Sequence, residues 1–242
     1  TPEQHLEFAR RFGPLQVHPF TVPLEGYPEI IEIIKEVDEK HNWGGNSWHT
    51  DQTFLEAPPL GSVLYAKEVP PFSADTQWSN MCLAYEMLSD TMKRLIDGLT
   101  CIHRGETGDG YATNKSMKIK VPKAMESEHP LVRVHPETGE RALYVSPGFI
   151  KSIVGLTPTE SRRMLDLLCE HAVRNELTVR FKWEPGSIAF WDNRTTQHQA
   201  VRDVFDTEFD REFYRVTLNG TIPVGVDGRL SKKLSGDSIK AI

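Results

Sequence analysis

Hydrophobic residues recur along the chain at two spacings, one typical of helices and one typical of strands. Apolar positions three and four residues apart predict helices over residues 1–13 and 89–99, and the capping sequence Thr157-Pro158-Thr159-Glu160 predicts the start of another. Alternating or short apolar runs predict the strands, which lie within residues 60–85, 179–183, 187–191 and 213–218 and in a hairpin over 131–149. Many short strands with few helices favour an antiparallel sandwich with helical insertions.

One long stretch, residues 104–128, shows neither spacing. It is polar, contains glycine and carries Lys115, Lys118, Lys120 and Lys123. Because long loops within compact domains are usually functional, we expect a mobile lid, with a solvated basic loop as the equally weighted alternative. We expect one domain over residues 1–242. The chain opens abruptly on a helix cap at Thr1, so we also expect that N-terminal strands are missing from it.

Composition excludes several classes of protein. Hydrophobic residues make up 38% and charged residues 26% of the 242 residues, a balance typical of globular domains rather than disordered chains. A formal net charge of −6 gives no overall support to binding of nucleic acid or an anionic membrane. Three widely spaced cysteines, Cys82, Cys101 and Cys169, argue against a disulfide framework and a structural zinc site. We therefore expect a cytoplasmic protein without nucleic-acid or membrane partners.

The first candidate chemistry is a metal site. In Trp48-His49-Thr50-Asp51, an extended backbone would place the side chains of His49 and Asp51 on the same face. His198 follows a predicted strand that ends near Trp191, and strand ends are common positions for ligands. Two histidines and one carboxylate form the facial triad that leaves positions open on ferrous iron. The His-x-Asp pattern alone is weak evidence, because it occurs often by chance.

Two arginines downstream suggest an organic co-substrate. Arg211 and Arg215 lie four residues apart, where the strand over 213–218 begins. A guanidinium group pairs through two hydrogen bonds with a carboxylate, the group that an oxoacid would present. The order His-x-Asp, then His, then Arg is stronger evidence for a metal site with an oxoacid co-substrate than any one of these motifs alone.

The sequence resembles the taurine dioxygenase family of iron(II)- and 2-oxoglutarate-dependent dioxygenases, which includes enzymes acting on taurine, alkyl sulfates and phenoxyalkanoate herbicides. The resemblance extends from Thr1 to about Val224. The motifs that carry it are Arg11-Phe12-Gly13, Trp48-His49-Thr50-Asp51, Thr53-Phe54, Pro58-Pro59, Asp75-Thr76, His129-Pro130, His135-Pro136 with Gly139, Trp191-Asp192-Asn193-Arg194 and Gln197-His198. It implies a mainly β protein with helical insertions around a double-stranded β-helix (jelly-roll) core, and Fe(II), 2-oxoglutarate and O2 as cofactor and co-substrates.

The resemblance also implies roles for individual residues. His49, Asp51 and His198 would bind iron, and Thr76 and Arg211 would bind the distal carboxylate of 2-oxoglutarate. Arg215 would meet the acidic group of the substrate, while His18 and Phe149 would line its pocket. His103 and Asn46 are further candidates for substrate contacts.

The chain departs from the taurine-specific members at two positions. It has Thr21 where they have a tyrosine, and Gly45 where they have an asparagine, with Asn46 displaced by one residue. We therefore predict an enzyme that hydroxylates the carbon next to the heteroatom of a small anionic organosulfur or aryloxyalkanoate substrate. It would release succinate and CO2, and cleavage of a C–S or C–O bond would follow.

Two other functions stay open from the residues themselves. One is a non-catalytic jelly-roll module that binds an anionic metabolite, and the other is a metal-dependent hydrolase that uses the same triad with a metal-bound water. The pair formed by Thr76 and Arg211 distinguishes them from an oxygenase, because a hydrolase needs no second site for a dicarboxylate. We also expect a homo-oligomer, either a dimer or a tetramer.

Overall fold

The computed structural model describes residues 1–18, 21–35, 37, 47–105, 124–201, 203 and 208–236. The helices are α1 (Pro2–Arg10), α2 (Met81–Glu86), α3 (Asp90–Ile96) and α4 (Pro158–Ala172), followed by a short 3-10 helix (Asn175–Leu177). The strands are β1 (Pro23–Leu24), β2 (Tyr27–Lys35), β3 (Gly61–Glu68), β4 (Thr76–Asn80), β5 (Thr100–Gly105), β6 (Met125–Pro130), β7 (Val132–Val134), β8 (Arg141–Leu143), β9 (Ile150–Ile153), β10 (Thr178–Phe181), β11 (Ile188–Asp192), β12 (Thr196–Ala200), β13 (Arg211–Leu218), β14 (Val224–Gly225) and β15 (Lys232–Ser235).

Within the described ranges, these strands pair into four antiparallel sheets. Their orders are β1-β2-β13-β3-β11, β10-β4-β12, β14-β7-β8 and β15-β6-β5-β9. The first two sheets matter most for the site: β13 carries Arg211 and Arg215, while β4 and β12 carry Thr76 and His198. The molecule is mostly β with helices between strands, as the hydrophobic pattern predicts.

Large aromatic side chains fill the space between these two sheets. The ring of Trp78 on β4 lies 5.6 Å from that of Trp191 on β11, and the ring of Trp183 lies 4.9 Å from that of Phe213 on β13. Leu64 and Ala66 of β3 belong to the same buried cluster, which we call the sandwich core. Burial of these large aromatic surfaces contributes favourably to the free energy of folding. The sandwich core therefore holds in place the two sheets that carry the predicted site residues.

The predicted helix starts are confirmed. At α1, Thr1 Oγ1 accepts a hydrogen bond from the backbone N–H of Gln4, whose side chain accepts one from the Thr1 amino group. At α4, Thr157 and Glu160 form the same reciprocal pair. Each pair satisfies amide groups that a helix otherwise leaves without partners. No helix in the described part of the chain is long and apolar enough to cross a membrane.

Two predictions about elements need correction, and a third lies largely outside the described residues. Residues 81–86 form helix α2 rather than a strand, and Asn80 begins it by accepting a hydrogen bond from Leu83 N. His198 follows β11 as predicted, but it lies within a further strand, β12, rather than at a strand end. Both ends of the predicted lid over 104–128 belong to the paired strands β5 and β6, and its central residues, 106–123, lie outside the described part.

Candidate active site

Backbone pairing brings the two histidines of the predicted triad together. His49 N donates to His198 O at 2.9 Å, and His198 N donates to His49 O at 2.8 Å. Residues that pair reciprocally in this way project their side chains to the same face, and the two rings lie 4.3 Å apart. Asp51 Oδ1 lies 3.7 Å from His49 Nε2 and 3.9 Å from His198 Nε2. One ligand atom from each residue therefore falls within 4.8 Å of the others.

Two residues of the triad, Asp51 and His198, are in the protonation states that a metal requires. Burial raises the pKa of Asp51, but the Arg215 guanidinium and the two imidazoles outweigh it and lower the pKa to about 2. Burial, reinforced by His49, lowers the pKa of His198 to about 3. At neutral pH Asp51 is therefore an anion and His198 is a neutral imidazole, and these are the forms that coordinate metals.

The donor atoms of the triad also fit ferrous iron. Asp51 Oδ2 is buried and has no hydrogen-bond partner among the described residues. His49 Nδ1 donates to the Ser47 carbonyl at 2.8 Å, which fixes its proton there and leaves a lone pair on Nε2, the atom nearest Asp51. A buried anionic oxygen without a donor is costly unless a cation meets it. Two imidazole nitrogens with one carboxylate are the ligand set of non-haem iron oxygenases.

Asn193 holds the backbone of Asp51 in place. Its Oδ1 accepts from Asp51 N at 2.9 Å, and its Nδ2 donates to Asp51 O at 3.2 Å and to Pro59 O at 3.1 Å. Asn193 is 1% exposed, so these bonds form away from water. The Asn193 amide therefore fixes the main chain of Asp51, a predicted metal ligand, from a position that follows β11.

We expect Asn193→Ala to weaken metal binding and to lower the stability of the fold by similar free energies. The change leaves the buried Asp51 N–H without an acceptor, which typically costs about 1–3 kcal/mol of folding stability. The freed backbone should also lower Fe(II) affinity by about 10- to 100-fold, as outer contacts of metal ligands do. Anaerobic titration calorimetry and thermal unfolding measure the two effects. Wild-type Fe(II) affinity in this variant would contradict the assignment.

The two residues predicted to bind 2-oxoglutarate are both buried at the sandwich core. Thr76 opens β4, and its Oγ1 accepts a hydrogen bond from Trp183 Nε1 at 2.9 Å. Arg211 opens β13, with its guanidinium carbon 4.1 Å from the centre of the Phe213 ring. Burial lowers the pKa of Arg211 to about 10, so it stays a cation at neutral pH.

The strand register connects Thr76 to the triad. His198 pairs with Trp78, and Ala200 pairs with Thr76. Side chains two residues apart on one strand share a face, so Thr76 lies on the same face as His198, displaced by about 7 Å along β4. A co-substrate that reached from the triad to Thr76 would therefore follow the direction of this strand.

The structure also brings three of the predicted substrate residues to the triad. Arg215 Nη1 lies 3.3 Å from Asp51 Oδ1, and the phenyl ring of Phe149 lies 6.3 Å from the His49 ring. Arg215 and Asp51 both act electrostatically on His18, whose pKa falls to about 3 mainly because it is buried. One cation, Arg215, and one aromatic ring, Phe149, therefore lie next to the triad.

Another predicted substrate contact, His103, has different partners. His103 is fully buried and both its ring nitrogens are engaged, Nδ1 with Thr53 Oγ1 at 2.8 Å and Nε2 with Cys101 Sγ at 3.2 Å. It therefore has no ring nitrogen left for a substrate in this arrangement. Asn46 lies outside the described residues. The sequence pattern indicates no role for Asn193 or Trp183, although Asn193 belongs to a motif that carries the family resemblance.

Comparison with known proteins agrees with this geometry. The model of the family described as "Taurine catabolism dioxygenase TauD, TfdA family" matches residues 1–217. An alpha-ketoglutarate-dependent sulfate ester dioxygenase from Pseudomonas putida is 39% identical over 233 residues, covering 93% of this chain and 75% of that protein. An alkylsulfatase from Acinetobacter baylyi is 35% identical over 257 residues, covering 98% of this chain and 79% of that protein.

A solved structure is similar over almost the whole chain. The crystal structure of a taurine dioxygenase from Burkholderia xenovorans superposes with a TM-score of 0.84 at 48% identity, covering 98% of this chain and 79% of that one. The predicted jelly-roll fold is thereby confirmed, and so are the predicted reaction class, iron and co-substrates. The chain belongs to the TauD, TfdA family of 2-oxoglutarate-dependent dioxygenases.

Proposed function

We propose that this dioxygenase hydroxylates the carbon next to the heteroatom of a small anionic sulfate ester, sulfonate or aryloxyalkanoate. The observation that carries the proposal is the Arg215 guanidinium, which lies against Asp51 of the triad and beside His18. A cation next to the metal ligands would fix the anionic end of a substrate there. The reactions named for the two curated relatives, on sulfate esters and alkyl sulfates, support the same substrate class.

His49, Asp51 and His198 would hold the iron through two nitrogens and one oxygen. Thr76 and Arg211 would bind the distal carboxylate of 2-oxoglutarate, one through its hydroxyl and the other through its guanidinium. When bound together, iron, 2-oxoglutarate and O2 supply the oxidation that replaces a C–H bond with C–OH and releases succinate and CO2. The protein contributes position: it holds the target carbon near the triad and keeps water away from it.

Arg215 and His18 would orient the substrate. Arg215 Nε has no hydrogen-bond partner among the described residues, so this N–H remains for an anionic oxygen. His18 is neutral, and its Nδ1 accepts a hydrogen bond from Thr21 N at 3.1 Å. The ring proton is therefore on Nε2, which makes that atom a donor. A sulfate or carboxylate group, which only accepts hydrogen bonds, suits both donors.

Hydroxylation at this carbon would break the substrate. A carbon that carries both a hydroxyl group and a sulfate or aryloxy oxygen is unstable, because the hydroxyl oxygen forms a carbonyl as the other C–O bond breaks. The bonding electrons leave with sulfate or phenolate, and the hydroxyl proton is lost to solvent. The same step on a sulfonate releases sulfite. The enzyme would therefore liberate inorganic sulfur or a phenol together with an aldehyde or ketone.

We expect alkyl sulfates, longer alkylsulfonates or aryloxyalkanoates to exceed taurine in kcat/KM by at least about tenfold. Thr21 replaces the tyrosine of taurine-specific members, so an ammonium group would lose water without gaining that partner, a cost of several kcal/mol. A tenfold preference needs only about 1.4 kcal/mol of this difference in the transition state. Succinate release with Fe(II), ascorbate and 2-oxoglutarate measures each substrate.

A matched variant tests the reason for this preference. Thr21→Tyr should raise kcat/KM for taurine relative to an alkyl sulfate, because the phenol restores a polar partner. Taurine as the best substrate of the unmodified enzyme would contradict the proposal. Succinate formation must also depend on O2 and on the organic substrate. Turnover of a sulfate ester without O2 would instead favour the hydrolase.

We also propose that the enzyme acts in the cytoplasm as a homo-oligomer. Cys82, Cys101 and Cys169 are all free thiols, which suits a reducing compartment. Light scattering on the purified chain determines the number of subunits, and cell fractionation determines the compartment.

A further inference from the structure

A buried tryptophan connects the two residues proposed to bind the distal carboxylate of 2-oxoglutarate. Trp183 is 2% exposed, and its Nε1 donates to Thr76 Oγ1 at 2.9 Å. Its ring meets Phe213 edge to face at 4.9 Å, and the Arg211 guanidinium lies over the same Phe213 ring. Trp183 therefore contacts Thr76 directly and reaches Arg211 through one intervening ring.

The hydrogen bond from Trp183 determines what the Thr76 hydroxyl can do. A threonine hydroxyl has one hydrogen to donate and two lone pairs, whereas an indole N–H can only donate. Trp183 therefore occupies a lone pair of Oγ1, and the hydroxyl hydrogen must point away from the indole. A carboxylate is an acceptor only, so it needs that hydrogen.

We propose that Trp183 is a positioning residue, which presets the Thr76 hydroxyl as a donor to the distal carboxylate of 2-oxoglutarate. The inference rests on the proposed function of Thr76 and Arg211. Without Trp183, the hydroxyl could rotate among several orientations and would lose that freedom on binding. With Trp183 in place, the donor is already oriented before the co-substrate arrives. The Phe213 ring that Trp183 supports also limits the positions of Arg211.

A purely structural role for Trp183 predicts a different result. Buried indole N–H groups generally need an acceptor, and Thr76 Oγ1 could serve only that need. Loss of the N–H would then lower the stability of the fold and would affect all ligands alike. A positioning role instead predicts a selective loss, confined to ligands that carry the distal carboxylate.

The test is Trp183→Phe, which removes the N–H and keeps an aromatic ring. We expect Kd and KM for 2-oxoglutarate to rise about tenfold, which corresponds to about 1.4 kcal/mol, with kcat at saturation nearly unchanged. Kd is measured by calorimetry on the anaerobic Fe(II) enzyme. Binding of 2-oxobutanoate, an oxoacid without the distal carboxylate, should be the same in both proteins.

Two further variants provide the controls. The indole N–H of Trp78, in the same core, has no hydrogen-bond partner within the described ranges, so Trp78→Phe should leave the Kd of 2-oxoglutarate unchanged. Thr76→Val removes the hydroxyl itself and should weaken 2-oxoglutarate binding. In that background, Trp183→Phe should add little, because the two residues act through one hydrogen bond.

The outcomes separate this inference from the proposed function. Weak 2-oxoglutarate binding in Thr76→Val but not in Trp183→Phe would overturn the role of Trp183 and leave that of Thr76 standing. Unchanged binding in both would overturn the assignment of Thr76 as well. Equal weakening of 2-oxoglutarate and 2-oxobutanoate by Trp183→Phe, with a lower unfolding temperature, would show a general packing defect and also overturn the inference.

Discussion

Replacing His198 with alanine should abolish iron binding and turnover while the protein remains folded. The change removes one of the two imidazoles and leaves a site with only one nitrogen and one carboxylate. Folding should survive, because the two hydrogen bonds between His49 and His198 are made by backbone atoms that alanine keeps. The expected loss of stability comes mainly from the packing of the His198 ring against Trp191, whose centre is 4.9 Å away. Anaerobic Fe(II) calorimetry and circular dichroism measure the two effects.

His171→Ala is the matched control for this experiment. His171 is a partly buried histidine on α4 whose Nε2 donates to Ala84 O at 2.7 Å, so its removal also costs packing and a hydrogen bond. It lies outside the triad, and the variant should bind Fe(II) as the unmodified protein does. Activity in His198→Ala equal to that of the unmodified enzyme would show that the triad is assigned wrongly.

The sequence predicted the residues of the triad more accurately than their backbone geometry. An extended segment was expected to place His49 and Asp51 on one face. In the structure His49 is extended and paired with β12, whereas Asp51 begins a turn. The intervening Thr50 does face elsewhere, because its Oγ1 donates to Thr196 O at 3.0 Å. The residue types indicated the candidate metal site, and long-range pairing determined its geometry.

The hydrophobic pattern does not predict strand β12, and the reason is physical. Thr196-Gln197-His198-Gln199 contains no apolar alternation, because this strand contributes to the candidate metal site and pairs mostly with polar residues of β4. The pattern does not distinguish helix α2 from a strand, because six residues are too few to show a helical period. In both cases tertiary context outweighed the local pattern.

Asn193 and Trp183, which hold predicted site residues in place, could not be predicted from local sequence patterns. Asn193 bonds to Asp51 across 142 positions in sequence, and Trp183 bonds to Thr76 across 107. Nothing in the sequence near Asn193 or Trp183 indicates these partners. Hydrogen bonds between distant segments become visible only when the sheets are assembled.

Replacing Arg211 with alanine should raise the requirement for 2-oxoglutarate more than any other single change outside the triad. Arg211 is 5% exposed, so its pairing with a carboxylate would take place with little screening by water. Removing one partner of such a desolvated pair typically costs on the order of 2–5 kcal/mol, which corresponds to about 30- to 5000-fold in KM or Kd. Thr76→Val removes one hydrogen bond to a charged group and should cost less, about 1.5–3 kcal/mol.

Two further variants test the role of Arg211 in binding 2-oxoglutarate. One tests the planar shape of its guanidinium group, and the other tests whether Arg211 or Arg215 binds this co-substrate. Arg211→Lys keeps the charge but loses the planar pair of donors, so it should recover only part of the affinity for 2-oxoglutarate. Arg215→Ala should raise KM for the organic substrate and leave Kd for 2-oxoglutarate, measured by anaerobic calorimetry, nearly unchanged. The reciprocal pattern, with the larger 2-oxoglutarate defect in Arg215→Ala, would mean that the two arginines have exchanged roles. That result would place the distal carboxylate beside Asp51 and the substrate anion beside Phe213.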